Sequence, residues 1–408
     1  MIKRTYLWWL FIMLNQIAWS FEVIGQNVKP PDFKFIDSYF ENASPLMWEM
    51  IGDTATKINL IYNYERESVN RASGHWYFMV EAEAGTELNL ILSNMVNIYN
   101  GKKTGFVGNK EEFVACYFSE DQENWKGVKT RRLPNNLDFQ VKYKMKNDKV
   151  YIARMPPYTE KDLEEWKGSI AKQEEVEIIP AGKTVEGRPL EIVRVGNPDA
   201  KFSVLMRVRA HAWETAGNFV VEGLVQEYLS NQKDYQDLCY YIMPMANKDA
   251  VHRGMTRFNT KGVDLNRGWF EEPDPINAPE KLALEKFLKK LIADGTKPAL
   301  AIDFHCDDYG YIHLTVPKEG DSEYSHNMTL LHSLLTENTW FSQRLYTNKN
   351  PIGNMADGMY HRYGIDGLIF EFNANYIEKL DKIPESKDWM SFGANLNFVF
   401  KKYMNRDL

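Results

Sequence analysis

Two kinds of hydrophobic spacing divide this chain. From about Phe33 to Arg154, apolar residues alternate with polar ones or form short runs between turn-forming residues. Val141-Lys142-Tyr143-Lys144-Met145-Lys146 alternates without a break, the period of a strand with one wet face. Asn147-Asp148 predicts a turn, and Val150-Tyr151-Ile152 a partner strand after it. Trp76 to Val80 and Leu88 to Leu92 flank Ala84-Gly85 and predict a second hairpin. Several short strands separated by turns describe an antiparallel β-sandwich. Pro156-Pro157 closes this half, and from about Glu174 the spacing changes. Phe202 to Val208, Tyr240 to Met243, Ala299 to Phe304 and Leu368 to Phe372 are short apolar runs, as in strands buried on both faces. Between them, Leu284, Phe287, Leu288, Leu291 and Ile292 recur at helical spacing, and Phe219, Val220, Gly223 and Leu224 form a similar stripe. Strands alternating with helices predict an α/β domain with a mixed, mostly parallel sheet. The expected division is 21–157 for the sandwich and 158–408 for the α/β domain.

With 408 residues, two domains are the natural expectation. A net charge of −7 argues against nucleic acid or an anionic membrane as the main partner. Lys3 and Arg4 precede an apolar run from Tyr6 to Trp19, and Ala18-Trp19-Ser20 supplies small residues where a signal peptidase would cut. On that pattern residues 1–20 read as a signal peptide and the protein as exported, periplasmic or secreted, without stable membrane insertion after cleavage; an uncleaved N-terminal anchor is the alternative. Cys116, Cys239 and Cys306 are too few and too scattered for a disulfide scaffold or a cysteine-ligated zinc site. A metal here must be held by His and carboxylate.

Candidate ligands fall where an open α/β sheet places its chemistry, beyond the carboxyl ends of strands. His211 follows the run from Phe202, His305 follows Ala301-Ile302-Asp303-Phe304, and Glu371 sits within the last run. His211-Ala212-Trp213-Glu214 is an HxxE, compatible with presenting both ligands to one ion; alone it equally suits an ordinary histidine. Asp307 and Asp308 read either as carboxylates that orient the imidazoles or as a solvated turn. Asn247-Lys248-Asp249, Arg253, Arg257 and Gly262 to Arg267 concentrate three arginines and two asparagines, an anion clamp or a surface ion-pair patch.

Taken together, these residues resemble the M14 zinc carboxypeptidase family, in particular its cytosolic-carboxypeptidase-like branch with an N-terminal β domain. Glu186-Gly187-Arg188-Pro189-Leu190, His211 to Thr215, Gly262 to Arg267 and Gly367 to Phe372 carry the likeness in the second half, and Trp76-Tyr77-Phe78 and Pro156-Pro157-Tyr158-Thr159 carry it in the first. The resemblance implies one Zn²⁺ held by His211, Glu214 and His305. It implies that Asn266 and Arg267 hold the free C-terminal carboxylate of a peptide, that Arg257 stabilises the oxyanion, and that Glu371 is general base and proton shuttle. Tyr346 is the nearest counterpart of the family's substrate-covering tyrosine. Ala212-Trp213 and Cys306-Asp307-Asp308 depart from the family's pattern, and no Arg or Lys marks the side-chain pocket expected around Met355-Ala356-Asp357. A desuccinylase- or aspartoacylase-like amidohydrolase, and an inactive peptide- or glycan-binding relative, are the alternatives.

Overall fold

The structure, a computed structural model, describes residues 32–405 apart from 53, 62, 64, 67–69, 100, 106–112 and 136. The expected signal segment lies outside the described residues. In the first half two five-stranded sheets stack. One runs Phe35–Asp37, Tyr77–Glu81, Lys149–Ala153, Ala115–Ser119, Lys126–Lys129; the other runs Arg131–Arg132, Phe139–Lys144, Glu87–Ser93, Ala55–Leu60, Leu46–Ile51. Alternate residues point inward from both sheets, so Phe78, Val80, Val150 and Ile152 meet Leu88, Leu90, Leu92 and Val141 in one core. The strands pair antiparallel except Ala55–Leu60 with Glu87–Ser93, which are parallel.

Both expected hairpins resolve differently. Val141 pairs with Leu90 of the Glu87–Ser93 strand, while Val150 pairs with Val80. The turns at Ala84-Gly85 and Asn147-Asp148 therefore carry the chain from one sheet to the other. The two arches lie side by side, tied by Gly85 N–H to Met145 O and Met145 N–H to Thr86 O, both 2.8 Å. Turn residues specify a reversal; which strand becomes the neighbour is decided by burial of the alternating faces across the sandwich.

The second half is an eight-stranded mixed sheet, in order Val176–Lys183, Pro189–Val195, Leu238–Met243, Phe202–Val208, Leu300–Asp307, Asp366–Asn373, Ile312–Leu314, Leu345–Thr347. The four central strands are parallel. They are the apolar runs picked out by spacing, and helices on both faces bury them. On one face Ala216–Ser230 packs against Ser386–Met404 through reciprocal glycines: a Cβ on Gly223 would lie 2.0 Å from Met390 O, and one on Gly393 1.9 Å from Val220 O. On the other, Pro279–Ala293 lays Leu284 and Leu288 on the sheet. Arg154, at the end of the sandwich, joins the halves. Its fully buried guanidinium lies 3.5 Å from Asp308 and stacks over Trp76 and Trp213.

Candidate functional site

The site forms at the carboxyl ends of the central strands. Leu300–Asp307 and Asp366–Asn373 run in parallel with His305 opposite Glu371. Beside them, the chain leaving Phe202–Val208 reverses at Arg209, whose φ of 59° is left-handed. A non-glycine residue there is strained, and the Arg209 side chain holds it by donating to Tyr158 O, Asn218 Oδ1 and Ala212 O. The turn brings His211 and Glu214 to the His305 strand just before the helix Ala216–Ser230 begins.

There, His211 Nδ1 lies 2.8 Å from Glu214 Oε1, and His305 Nδ1 lies 2.7 Å from Glu214 Oε2. The two Nδ1 atoms face each other at 3.1 Å. Their outer nitrogens meet carboxylates: His211 Nε2 is 3.2 Å from Asp264, and His305 Nε2 is 2.6 Å from Asp303. Protons on the Nε2 atoms satisfy those carboxylates and leave both Nδ1 lone pairs aimed inward. Three acceptors then converge on one buried point, an arrangement that asks for a cation. The same carboxylates make this point strongly attractive to positive charge, whether a proton or a metal ion. Burial opposes charge on His305, but Asp303 and Glu214 outweigh it and hold the imidazole well above its ordinary value. Burial likewise pushes the Glu214 carboxyl up, yet His211 and His305 bring it down to about 2. Two imidazoles and a carboxylate are the donor set of a catalytic zinc site.

A cavity of about 300 Å³ opens over this cluster, lined among others by Arg257, Asn266, Arg267, Asp307, His313 and Glu371. Asp264 is its hub. One oxygen faces His211 and accepts the Asn266 N–H, and the other takes Nε and Nη2 of Arg257 at 2.9 and 2.8 Å. Asn266 lies against His305 Nε2 at 3.2 Å, and Arg267 Nη1 donates to the Asn266 carbonyl. Burial, the neighbouring Asp307 charge and Glu214 push the Glu371 carboxyl well above its ordinary value, against the pull of His305 and Arg257.

Sequence reading missed three parts of this arrangement. Asp264 and Asp303, and not Asp307 and Asp308, hold the imidazoles: Asp307 accepts the backbone N–H groups of Tyr309 and Gly310, and Asp308 binds Arg154 and Asn375. Arg207, fully buried, grips Asp303 at 2.8 and 2.5 Å and reaches Leu265 O and Asn266. Asn70, Ala72 and Asn97 of the first half also line the cavity. An Asp two residues before a strand-end His was the available signal for Asp303; the others needed coordinates. Of the three clustered arginines, Arg253 turns away to Glu186. Tyr346 stands one step back from the cavity, its ring 5.2 Å from that of His313. Met355, Ala356 and Asp357 are buried behind the wall, and Asp357 is saturated by Thr315 and the N–H groups of Ile352, Gly353 and Asn354.

Residues 163–406 match the family model for zinc carboxypeptidases, peptidase M14. The chain belongs to that family of metallocarboxypeptidases. Residues 49–155 match the cytosolic carboxypeptidase N-terminal domain. The chain is 23% identical over 258 residues to mouse cytosolic carboxypeptidase 6, covering 58% of this chain and 46% of the relative. To human cytosolic carboxypeptidase 1 it is 26% identical over 190 residues, covering 41% and 15%. It thus spans about half or less of the length of these relatives. A metallo-carboxypeptidase from Burkholderia cenocepacia superposes with a TM-score of 0.78 at 20% identity, covering 92% of this chain and all of the other. One from Pseudomonas aeruginosa, in complex with (2-guanidinoethylmercapto)succinic acid, gives 0.76 at 18%, covering 91% and 99%. These show a shared two-part fold.

The expectation of export is corrected by these matches. The matching N-terminal domain model and both curated relatives are described as cytosolic carboxypeptidases, which runs against export. The motif behind the expectation was a short apolar stretch beside two basic residues, a local pattern with no bearing on the fold that follows it. Among the described residues, no helix is long and apolar enough to cross a membrane.

Proposed function

We propose that this chain removes the C-terminal residue of a peptide or peptide-like substrate, using one zinc ion held by His211, Glu214 and His305. The observation that carries the reading is the convergence of both Nδ1 atoms and the Glu214 carboxylate beneath a cavity that also holds Glu371 and Arg267. Zinc bound there supplies a Lewis acid and a water with its pKa lowered to about 7. Arg267 and Asn266 grip the substrate's terminal carboxylate and hold the last peptide bond over the cluster. Glu371, beside His305 on the adjoining strand, accepts the water proton and returns it to the leaving amine. Its raised affinity for protons suits both halves of that transfer. Asp264 fixes the plane of the Arg257 guanidinium, leaving Nη1 as the nitrogen not engaged by it, for the developing oxyanion. The division at residues 157 and 158 belongs to the same reading: the α/β unit supplies the chemistry and the sandwich supplies one wall through Asn70 and Asn97.

The terminal-residue pocket falls to His313, Asn348, Ile352, Asn354 and Ile369. Burial pushes the His313 imidazole down to about 4, so this wall is uncharged near neutral pH. A neutral terminal side chain fits it better than a glutamate.

The test is a library of short peptides with free and amidated C-termini, read by mass spectrometry, with wild type and Glu371→Gln. We expect loss of single neutral residues from free termini only. In Glu371→Gln we expect full zinc content with turnover lower by about 10³-fold or more. Equal cleavage of amidated peptides would favour the amidohydrolase alternative, and near-normal turnover with full zinc would remove Glu371 from its role.

A further inference from the structure

Metal-ligating side chains also gather outside the cavity, where the two halves meet. Glu41 follows the strand Phe35–Asp37 of the first half, Glu160 opens the helix Glu160–Ile170, and His252 closes the helix Lys248–His252. Each offers one ligand atom, and the three atoms lie within 4.8 Å of one another. None of the three lines the cavity over His211. Backbone contacts fix the arrangement. The Asn42 N–H donates to His252 O at 3.0 Å and Asn42 Nδ2 to Val251 O at 2.7 Å, which docks the Glu41 segment on the end of that helix. Glu41 Oε1 accepts the Glu160 N–H at 2.7 Å, and His252 Nδ1 stands 3.7 Å from Glu160 Oε1. That Glu160 oxygen is buried and accepts no hydrogen bond; only the Arg188 charge meets it, at 2.8 Å.

Charge at this seam does not balance. Arg188 is shared among Glu160, Glu186 and Asp249 at 2.8, 2.8 and 2.9 Å, and Arg253 pairs with Glu186. Glu41 forms no ion pair with a lysine or arginine among the described residues. The nearest lysines are matched elsewhere: Lys248 grips Glu191 at 2.8 Å, and Lys167 grips Glu191 and Glu164 at 2.9 and 2.8 Å. Glu41, Glu160, Glu186 and Asp249 therefore set four negative charges against the two of Arg188 and Arg253, the deficit of one divalent cation. Burial raises the Glu160 carboxyl against the pull of Arg188, and the Glu41 charge adds to the rise; a cation between the two carboxylates relieves that crowding. One imidazole nitrogen and two carboxylate oxygens are donors that zinc accepts, and the imidazole favours zinc over calcium or magnesium. The His252 side chain is 48% exposed, so its ring has room to turn and an ion can enter from solvent. We propose that Glu41, Glu160 and His252 bind a divalent metal ion of the zinc type, which clamps the first half of the chain to the second.

The alternative is an ion-pair network around Arg188 that binds no metal. The experiment equilibrates the full chain with Zn²⁺, removes unbound metal by gel filtration, and counts zinc per chain by mass spectrometry. Wild type is compared with His252→Ala, with Glu41→Gln, and with His326→Ala, an exposed histidine on the helix Ser322–Asn338 that serves as control. We expect wild type and His326→Ala to hold one zinc equivalent more than His252→Ala and Glu41→Gln. The difference is read between variants, so it stands whatever the His211 cluster binds. An ion held by the folded state alone stabilises it, so added Zn²⁺ should raise the Tm of wild type and His326→Ala by about 2–4 °C more than that of the other two variants. Equal zinc content in wild type and in either His252→Ala or Glu41→Gln overturns the proposal, as does loss of the equivalent in His326→Ala.

Discussion

Asp264→Asn tests the site's wiring most sharply, because one carboxylate faces both His211 of the proposed metal cluster and Arg257, the arginine proposed to meet the oxyanion. In the native protein Asp264 only accepts: from His211 Nε2 at 3.2 Å, from the Asn266 N–H at 2.9 Å, and from two nitrogens of Arg257 at 2.9 and 2.8 Å. Burial pushes this carboxyl up, but Arg257 and His211 hold it well below the usual range, so it is charged. Asparagine keeps the shape and loses half the accepting capacity. If its oxygen stays toward His211, its NH₂ meets the guanidinium donor to donor, and Arg257 swings free. If the amide flips, His211 loses its acceptor and its Nδ1 lone pair is no longer fixed toward the cluster. Loss of such an outer partner lowers metal affinity about 10- to 100-fold, or about 1.4–2.7 kcal/mol. Loss of oriented oxyanion stabilisation lowers kcat about 10²-fold. Zinc affinity is read by competition with a chromophoric chelator, and kcat at saturating zinc. A cycle with Arg257→Met then measures coupling, which should exceed about 1 kcal/mol for groups in contact. Zinc affinity within about threefold of wild type, together with additive effects on kcat, would refute the hub.

Two further outcomes follow from buried charge elsewhere. Arg207→Met leaves Asp303 with His305 alone, and urea unfolding should show a loss of about 3–5 kcal/mol, since breaking a buried ion pair strands a charge; a change below about 1 kcal/mol would count against the pair's importance. Burial pushes the Glu222 carboxyl from 4.5 up to about 7, with the Tyr158 hydroxyl donating to it at 2.6 Å. A raised folded value means the protonated form fits the fold, so its contribution is full below about 4.5 and is lost as pH rises through about 7. The rise corresponds to about 3 kcal/mol, so wild type should lose about that much stability relative to Glu222→Gln between acidic and mildly alkaline pH. Parallel stability–pH curves for the two proteins would contradict this.

Much of the catalytic half was legible in the chain alone. The four central strands are apolar runs because burial on both faces leaves no room for alternation, and strand ends are where such a sheet offers side chains to a ligand. His211, Glu214, His305, Glu371 and Arg267 were therefore singled out by pattern and resemblance; in the fold His211, Glu214, Arg267 and Glu371 line one cavity, and His305 clusters with His211 and Glu214. What the chain does not encode locally is which neighbours those side chains acquire. Alternation and turn residues marked the strands of the sandwich, but pairing across two sheets depends on burial summed over distant segments. Asp264, Asp303 and Arg207 are spread over 97 positions and look like unremarkable polar residues until the sheet stacks them behind the imidazoles. Asn70 and Asn97 reach the cavity only because the two halves pack together. Periodicity is a property of a few consecutive residues and survives in one dimension; a hydrogen-bond partner is fixed by the packing of the whole chain.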